Sequence, residues 1–276
     1  MKSVNDLCIN ESLLSQVERI AVQAGDAIMQ VYDSAEQMAV QEKADFSPVT
    51  EADLAAHHLI VRELSQINPA WPVLSEESTL PDFSERQQWQ TYWLVDPLDG
   101  TKEFIQRRPE FTVNIALIEK GVPVLGVVYA PVTRKIYSGG KKLGAFRVVN
   151  QQREKMTTRA AQCPLTIVAS RHHGTEALTD LLNQLEKHTG PHQLIQIGSS
   201  LKICLIAEGK ADFYPRLAPT CEWDTAAAQA VLEAAGGIIV TQEGQPLRYN
   251  TKANIKNPYF FVMGQWSECW QQWGVV

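Results

Sequence analysis

The chain has 276 residues, 45% of them hydrophobic and 20% charged, which excludes a disordered or collagen-like chain. No stretch approaches the ~18 consecutive apolar residues that a membrane span needs. Met1-Lys2-Ser3-Val4-Asn5-Asp6 leads into no apolar run of the signal-peptide kind, so a cytoplasmic protein is expected.

Apolar residues recur at 13, 17, 20, 24, 27/28 and 31, the spacing of a helix over Leu13–Val31. A second helix is expected from Thr50. Thr50 and Asp53 make a T-x-x-D start, Leu54, Ile60/Val61, Leu64 and Ile67 repeat with helical period, and Asn68-Pro69 closes the segment. Strands follow at Tyr92–Val95, Thr112–Ile118 and Val122–Tyr129, rich in β-branched and aromatic residues, with Lys120-Gly121 as a hairpin turn between the last two. Short strands are read near Lys135–Tyr137 and Ala145–Val148. Beyond residue 160 the elements alternate: strand Leu165–Ala169, helix Glu176–Lys187, strand Leu194–Ile197, helix Ser200–Glu208, strand Ala211–Tyr214, helix Thr225–Ala235, strands Ile238–Thr241 and Tyr259–Met263. Residues 1–159 thus read as an α+β half with an antiparallel sheet and 160–276 as an α/β half, packed closely as one unit.

The net charge of −6 argues against broad nucleic-acid binding. An acidic protein acting on anions needs local cations, either metals or placed Lys and Arg. The segment Trp93-Leu94-Val95-Asp96-Pro97-Leu98-Asp99-Gly100-Thr101 points to a metal. An apolar strand runs into two carboxylates three residues apart, with Pro97 fixing its own φ and Gly100 permitting a tight bend. Such a turn can aim both carboxylates and the Leu98 carbonyl at one point, the all-oxygen shell a hard cation such as Mg²⁺ requires. Taken alone it also reads as an Asp-rich strand end. Three more segments accompany it: Val73-Leu74-Ser75-Glu76-Glu77-Ser78, the Asp224 turn in Trp223-Asp224-Thr225-Ala226-Ala227, and the string of Lys43, Pro48, Thr50 and Asp53.

Together these segments resemble the inositol monophosphatase superfamily of metal-dependent, lithium-sensitive phosphatases, and within it the bisphosphate nucleotidase branch. The narrower likeness rests on Asp96–Phe104 (DPLDGTKEF), Phe111–Ile118 (FTVNIALI), Gly126–Pro131 (GVVYAP), Gly198–Lys202 (GSSLK) and Tyr214-Pro215-Arg216, and it runs from about residue 13 to 263. It implies an α-β-α-β-α layered sandwich of the inositol monophosphatase and fructose-1,6-bisphosphatase kind. It implies that Glu76, Asp96, the Leu98 carbonyl, Asp99 and Asp224 hold two or three Mg²⁺ ions. Thr101, hydrogen-bonded to Asp53, would position a metal-activated water and help deprotonate it, with Glu76 completing the catalytic set. Glu76, Leu98, Asp99 and Asp224 would also meet the substrate, and the Gly100 and Thr101 N–H groups would cradle its phosphate. Ser200 and Lys202 would contact a nucleotide and Arg216 its second phosphate. The implied reaction is hydrolysis of 3'-phosphoadenosine 5'-phosphate to AMP and phosphate, a step of sulfur metabolism. The implied partner is that small molecule alone, with no obligate protein partner. Inositol monophosphate or a sugar phosphate is the alternative substrate, and a nucleotide sensor without turnover the non-enzyme alternative.

Haloacid-dehalogenase phosphatases carry D-x-D-G-T with a nucleophilic first Asp, but the position two before Asp99 is Pro97, which disfavours an aspartyl-phosphate. Cys8, Cys163, Cys204, Cys221 and Cys269 make no C-x-x-C pair and read as free thiols. His57-His58 and His172-His173 lack metal-ligand spacing. Arg107-Arg108 reads either as a guard at the site mouth or as a solvated loop tip. Lys141–Phe146 matches the family's glycine-rich turn loosely. Trp266, Trp270 and Trp273 fall on one face of an expected tail helix, read as packing on the body, with a partner or peripheral membrane surface on the cytoplasmic side as the alternative.

Overall fold

A computed structural model describes residues 9–34, 40–42, 48–171 and 176–275. The first half contains α1 (Glu11–Asp33), β1 (Val40–Glu42), β2 (Pro48–Thr50), α2 (Glu51–Ile67), β3 (Val73–Ser75), α3 (Phe83–Arg86), β4 (Thr91–Asp99) and α4 (Thr101–Ile105). Five consecutive strands follow: β5 (Thr112–Glu119), β6 (Val122–Ala130), β7 (Lys135–Gly140), β8 (Gly144–Val149) and β9 (Gln152–Met156). The remainder is β10 (Thr166–Ala169), α5 (Glu176–Thr189), β11 (Gln193–Gln196), α6 (Leu201–Ala207), β12 (Phe213–Arg216), α7 (Ala226–Ala234), β13 (Ile238–Thr241), β14 (Phe260–Met263) and α8 (Cys269–Gln272).

Helix α1 is capped by Asn10, whose side chain accepts from the Leu13 N–H at 2.9 Å. Helix α2 begins at a full capping box between Thr50 and Asp53, as the T-x-x-D spacing implied. At the hairpin joining β5 and β6, Lys120 and Gly121 both have positive φ, the backbone of a two-residue I′ turn.

Strands β3 to β9 form one seven-stranded sheet in sequence order, with β3 parallel to β4 and every later pair antiparallel. The second sheet has the order β11-β10-β12-β14-β13 and is mixed: β10 runs parallel to β11 and β12, while β14 is antiparallel to β12 and β13.

Side-chain alternation along the strands fixes the layers. Val113, Ile115 and Leu117 of β5 face a core built with α1 and α2, whereas Ala116 and Ile118 face a core shared with α6, α7 and the second sheet. A third core on the outer face of the second sheet holds Phe213, Phe261 and Trp270. The result is α1 and α2, sheet, α6 and α7, sheet, α5 and α8: the expected α-β-α-β-α sandwich. Helix α7 lies so close to β6 that a Cβ at Gly126 would sit 2.2 Å from the Ala227 carbonyl oxygen, so only glycine fits there.

The tail differs from its expected form. Helix α8 starts at Cys269, so Trp266 lies outside it and is 48% exposed, while Trp270 is buried. Ser267 and the N-cap Glu268 precede the helix, and the Ser267 hydroxyl accepts from the Cys269 N–H at 3.4 Å. Trp270 stacks on Phe213 with ring centroids 5.2 Å apart, the packing expected of the tail. No helix among the described residues is long and apolar enough to cross a membrane.

Candidate active site

The acidic residues are brought together by β3, β4 and the turn before α7. Asp96 and Asp99 are three residues apart, so in a regular strand they would face opposite sides of the sheet. Between them β4 carries an irregularity: Asp96 pairs with Asn114 but Asp99 with Thr112, so β4 holds one residue more than β5. This bulge falls at Pro97 and Leu98, where a missing backbone donor is tolerated, and it re-aims one carboxylate relative to the other. Asp96 also accepts from the Leu98 N–H at 3.0 Å, a local turn that holds its carboxylate. The parallel pairing of β3 with β4 carries Glu76 alongside, with its N–H donating to the Val95 carbonyl at 3.1 Å. Asp224 ends a single 3₁₀ turn, Glu222–Asp224, and its Oδ2 accepts from the Cys221 N–H at 2.9 Å.

Carboxylate oxygens of Glu76, Asp96 and Asp224 lie within 4.8 Å of one another. Asp99 is held beside them by donors on Oδ2: the Ser200 N–H at 2.6 Å, the Ser200 hydroxyl at 2.8 Å and the Asn114 amide at 3.3 Å. The cluster is electrostatically frustrated. Burial, then the charges of Glu76, Asp99 and Asp224, push the Asp96 carboxyl well above the usual range. Burial, then Asp99 and Glu76, do the same to Asp224. Bringing these carboxylates together without neutralisation is unfavourable, and a hard divalent cation with oxygen ligands is the group this donor set fits.

Thr101 opens α4, next to Gly100 with φ 98°. Its hydroxyl lies 3.3 Å from Asp53 Oδ1 and 3.3 Å from the Leu98 carbonyl oxygen. The other Asp53 oxygen accepts from the Thr50 N–H and hydroxyl. Helix α2 makes a second contact with this region: buried His57 sits 2.9 Å from the Ser75 hydroxyl, one residue before Glu76. His57 thus hydrogen-bonds a serine beside the cluster.

A cavity of about 130 Å³ adjoins the carboxylates, and Ser200, Lys202, Tyr214 and Arg216 are in its lining. Lys202 is buried and donates to the Ser199 carbonyl at 2.6 Å. Burial lowers its ammonium to about 8; Asp99 acts in the opposite direction and Arg216 in the same one. Arg216 donates to the Ala218 and Pro219 carbonyls at 3.1 and 2.8 Å. Each cation therefore has donors beyond those its backbone partners take up. Ser200 lines this cavity and is also tied to the carboxylates: besides Asp99, it lies 2.6 Å from the Asp224 carbonyl and accepts from the Asn114 amide at 2.9 Å.

Asn114 was not singled out from the sequence, although an amide inside the apolar run Thr112–Ile118 is a usable signal. Arg107 is tied to the end of α1, donating to the Ser34 carbonyl at 3.1 Å with its guanidinium 5.0 Å from the Tyr32 ring centre. Lys43 and His172-His173 lie outside the described residues.

The sequence profile of the inositol monophosphatase family matches residues 9–266. The chain belongs to the inositol monophosphatase family. Within it, the chain is 52% identical over 250 residues to the 3'(2'),5'-bisphosphate nucleotidase CysQ of Escherichia coli (strain K12), covering 91% of this chain and 99% of that one. The CysQ of Salmonella typhimurium is 51% identical over the same shares. The crystal structure of CysQ from Bacteroides thetaiotaomicron, a bacterial member of the inositol monophosphatase family, superposes with a TM-score of 0.83 at 41% identity, covering 95% of this chain and all of that one.

Proposed function

We propose that this protein is a Mg²⁺-dependent 3'(2'),5'-bisphosphate nucleotidase that converts 3'-phosphoadenosine 5'-phosphate to AMP and phosphate. The observation that carries the proposal is the junction of the carboxylate cluster with a cavity holding two buried cations, Lys202 and Arg216. One region suits a phosphate presented with metal ions, and the other suits a second anionic group. The likeness to the CysQ nucleotidases supports the same substrate class.

In this proposal Glu76, Asp96, the Leu98 carbonyl, Asp99 and Asp224 hold two or three Mg²⁺ ions. When bound, the ions would acidify a water and neutralise charge on the reacting phosphate. Thr101 would take a proton from the attacking water as its own hydroxyl proton passes to Asp53 Oδ1, 3.3 Å away. Thr50 keeps the Asp53 carboxylate oriented for that transfer. Gly100 and Thr101 N–H groups face the phosphate being cleaved. Lys202 and Arg216 bind the other phosphate, and Ser200 positions Asp99 in addition to lining the nucleotide's cavity. Residues 1–159 and 160–276 are then two halves of one catalytic unit, because Asp224 and both cations come from the second half.

A phosphate-release panel tests the assignment, with 3'-phosphoadenosine 5'-phosphate, inositol 1-phosphate and fructose 1,6-bisphosphate as substrates at fixed Mg²⁺. The nucleotide is expected to have the highest kcat/KM. Higher kcat/KM for inositol 1-phosphate would overturn the proposal, and nucleotide binding without release of phosphate would make the protein a sensor.

A further inference from the structure

The turn that bears Ser200 and Lys202 is fastened from outside the cavity. Gly198 donates its N–H to Glu110 Oε2 at 3.0 Å. Glu110 lies in the segment after α4, in the first half of the chain. Arg171, just past β10, takes both Glu110 oxygens in a fork, with Nη2 2.6 Å from Oε1 and Nη1 on Oε2. The same guanidinium donates to the Gln196 carbonyl at 3.1 Å, at the end of β11. A single ion pair therefore joins the α4–β5 segment, β10, β11 and the Gly198 turn. The backbone here is equally close: a Cβ on Gly198 would lie 2.9 Å from the Glu110 carbonyl oxygen, and one on Gly100 would lie 3.1 Å from it.

The next residues of the turn depend on that fastening. Ser199 has φ 52°, a left-handed conformation that a non-glycine residue keeps only when its surroundings hold it. Its carbonyl accepts from Lys202 Nζ, and the next N–H, that of Ser200, donates to Asp99 Oδ2 at 2.6 Å. The cavity cation and one cluster carboxylate are thus oriented by one short stretch of backbone.

We propose that Glu110, held by Arg171, is a positioning residue that sets Lys202 and Asp99 together by pinning Gly198. Among the described residues the Glu110 carboxylate bonds to Arg171 and Gly198 and not to the carboxylate cluster or the cavity cations; it acts through the turn. Because the Gly198 N–H needs an acceptor and Arg171 needs a charge, the two functions separate by substitution. Glu110→Gln keeps an acceptor and loses the charge; Glu110→Ala loses both.

The experiment compares wild type, Glu110→Gln, Glu110→Ala, Lys202→Ala and the Glu110→Ala/Lys202→Ala double variant. It reads Mg²⁺ affinity by calorimetry without substrate, KM and kcat for 3'-phosphoadenosine 5'-phosphate, and thermal midpoint. Arg153→Ala, which breaks the distant Arg153–Glu11 pair, is the control for loss of an ion pair. Glu110→Ala is expected to weaken Mg²⁺ binding and raise KM for the nucleotide, each about tenfold, the effect of one lost charge-assisted hydrogen bond. Glu110→Gln should fall between it and wild type. At saturating Mg²⁺, where the Asp99 side of the pin no longer limits metal loading, the double variant should have the KM of Lys202→Ala alone, since the pin then acts on KM through that lysine. A lowered midpoint with Mg²⁺ affinity and KM unchanged, or losses in KM that multiply in the double variant, would overturn the proposal. The kinetic part rests on the nucleotidase reading and the calorimetric part does not. A wild type that leaves the nucleotide intact defeats that reading, while the Mg²⁺ affinities still decide the role of Glu110.

Discussion

Asp53 divides its carboxylate between two neighbours: Oδ2 accepts from the Thr50 N–H at 2.8 Å and the Thr50 hydroxyl at 2.6 Å, while Oδ1 lies 3.3 Å from the Thr101 hydroxyl. One residue thus starts a helix and faces the candidate site. The two uses have different signatures when the residue is changed.

Thr101→Ala should lower kcat by about 10²–10⁴-fold with the thermal midpoint nearly unchanged, since general-base assistance is lost and the cap is not. Asp53→Asn should lower kcat over the same range. It should also cost up to about 1 kcal/mol through the weakened capping box. The double variant should be little slower than either single one, because the pair acts as a unit. Strictly multiplicative losses in steady-state rates would argue against the pairing.

Chelation should abolish activity, Mg²⁺ should restore it, and Li⁺ should inhibit. A thermal measurement gives an independent check. The raised Asp96 and Asp224 carboxyls bind protons more tightly in the folded protein than in the unfolded chain. Their stabilising contribution is therefore complete at low pH, below the unfolded pKa, and is lost as pH rises through the folded values. The metal-free protein should lose stability as pH rises above the ordinary carboxylate range. Mg²⁺ at 100 times its Kd should add about 2.7 kcal/mol at neutral pH. Asp96→Asn should remove most of this metal response. Equal Mg²⁺ stabilisation of wild type and Asp96→Asn would count against the carboxylate cluster as the metal site.

Lys202 should govern nucleotide affinity rather than turnover. Lys202→Ala should raise KM for 3'-phosphoadenosine 5'-phosphate by roughly 10- to 150-fold, and much less for a simple monophosphate. Its ammonium, lowered to about 8 by burial, is charged below that pH and neutral above it. In the wild type, KM for the nucleotide should therefore climb as pH passes about 8, and this climb should vanish in Lys202→Ala. A KM–pH profile that is the same in both proteins would remove Lys202 from substrate binding.

Gly126→Ala should destabilise the protein by about 1–3 kcal/mol or more, because the new Cβ meets the Ala227 carbonyl oxygen on α7. Pushing α7 outward also moves the turn that presents Asp224, so Mg²⁺ affinity should fall along with the midpoint. Denaturant titration and calorimetry on one preparation measure both. Unchanged metal affinity would mean that α7 shifts without carrying Asp224.

Much of the architecture was legible because its signals are local. The apolar stripe of α1, the Thr50–Asp53 cap and the turn at Lys120-Gly121 each depend on neighbours a few residues away. The edge strand β9 was not read, since four of its five residues are exposed and polar and show no buried alternation. Helix α4 is too short at five residues to display a period. The second sheet was expected as part of an α/β half, and its antiparallel β13–β14 edge depends on pairing that no local pattern reports. The carboxylates came from strand-end motifs, but their supports could not. Asn114 reaches Ser200 across 86 residues and Glu110 reaches Gly198 across 88. Such contacts depend on how the layers stack, and a single sequence gives no periodicity for them.

The extra residue in β4 makes residue count a constraint between Asp96 and Asp99. Deleting either Pro97 or Leu98 would restore regular pairing with β5 and leave the two carboxylates on one face, but it would remove the bulge and the local turn in which the Leu98 N–H holds Asp96, so both carboxylates would be re-aimed although no charged residue had been altered. Inserting a residue would shift the Gly100 turn out of phase with Glu110 in the same way. At this point of the chain, substitutions and length changes follow different rules: the side chain of Leu98 can be exchanged for another of similar bulk, but the interval that contains it cannot grow or shrink.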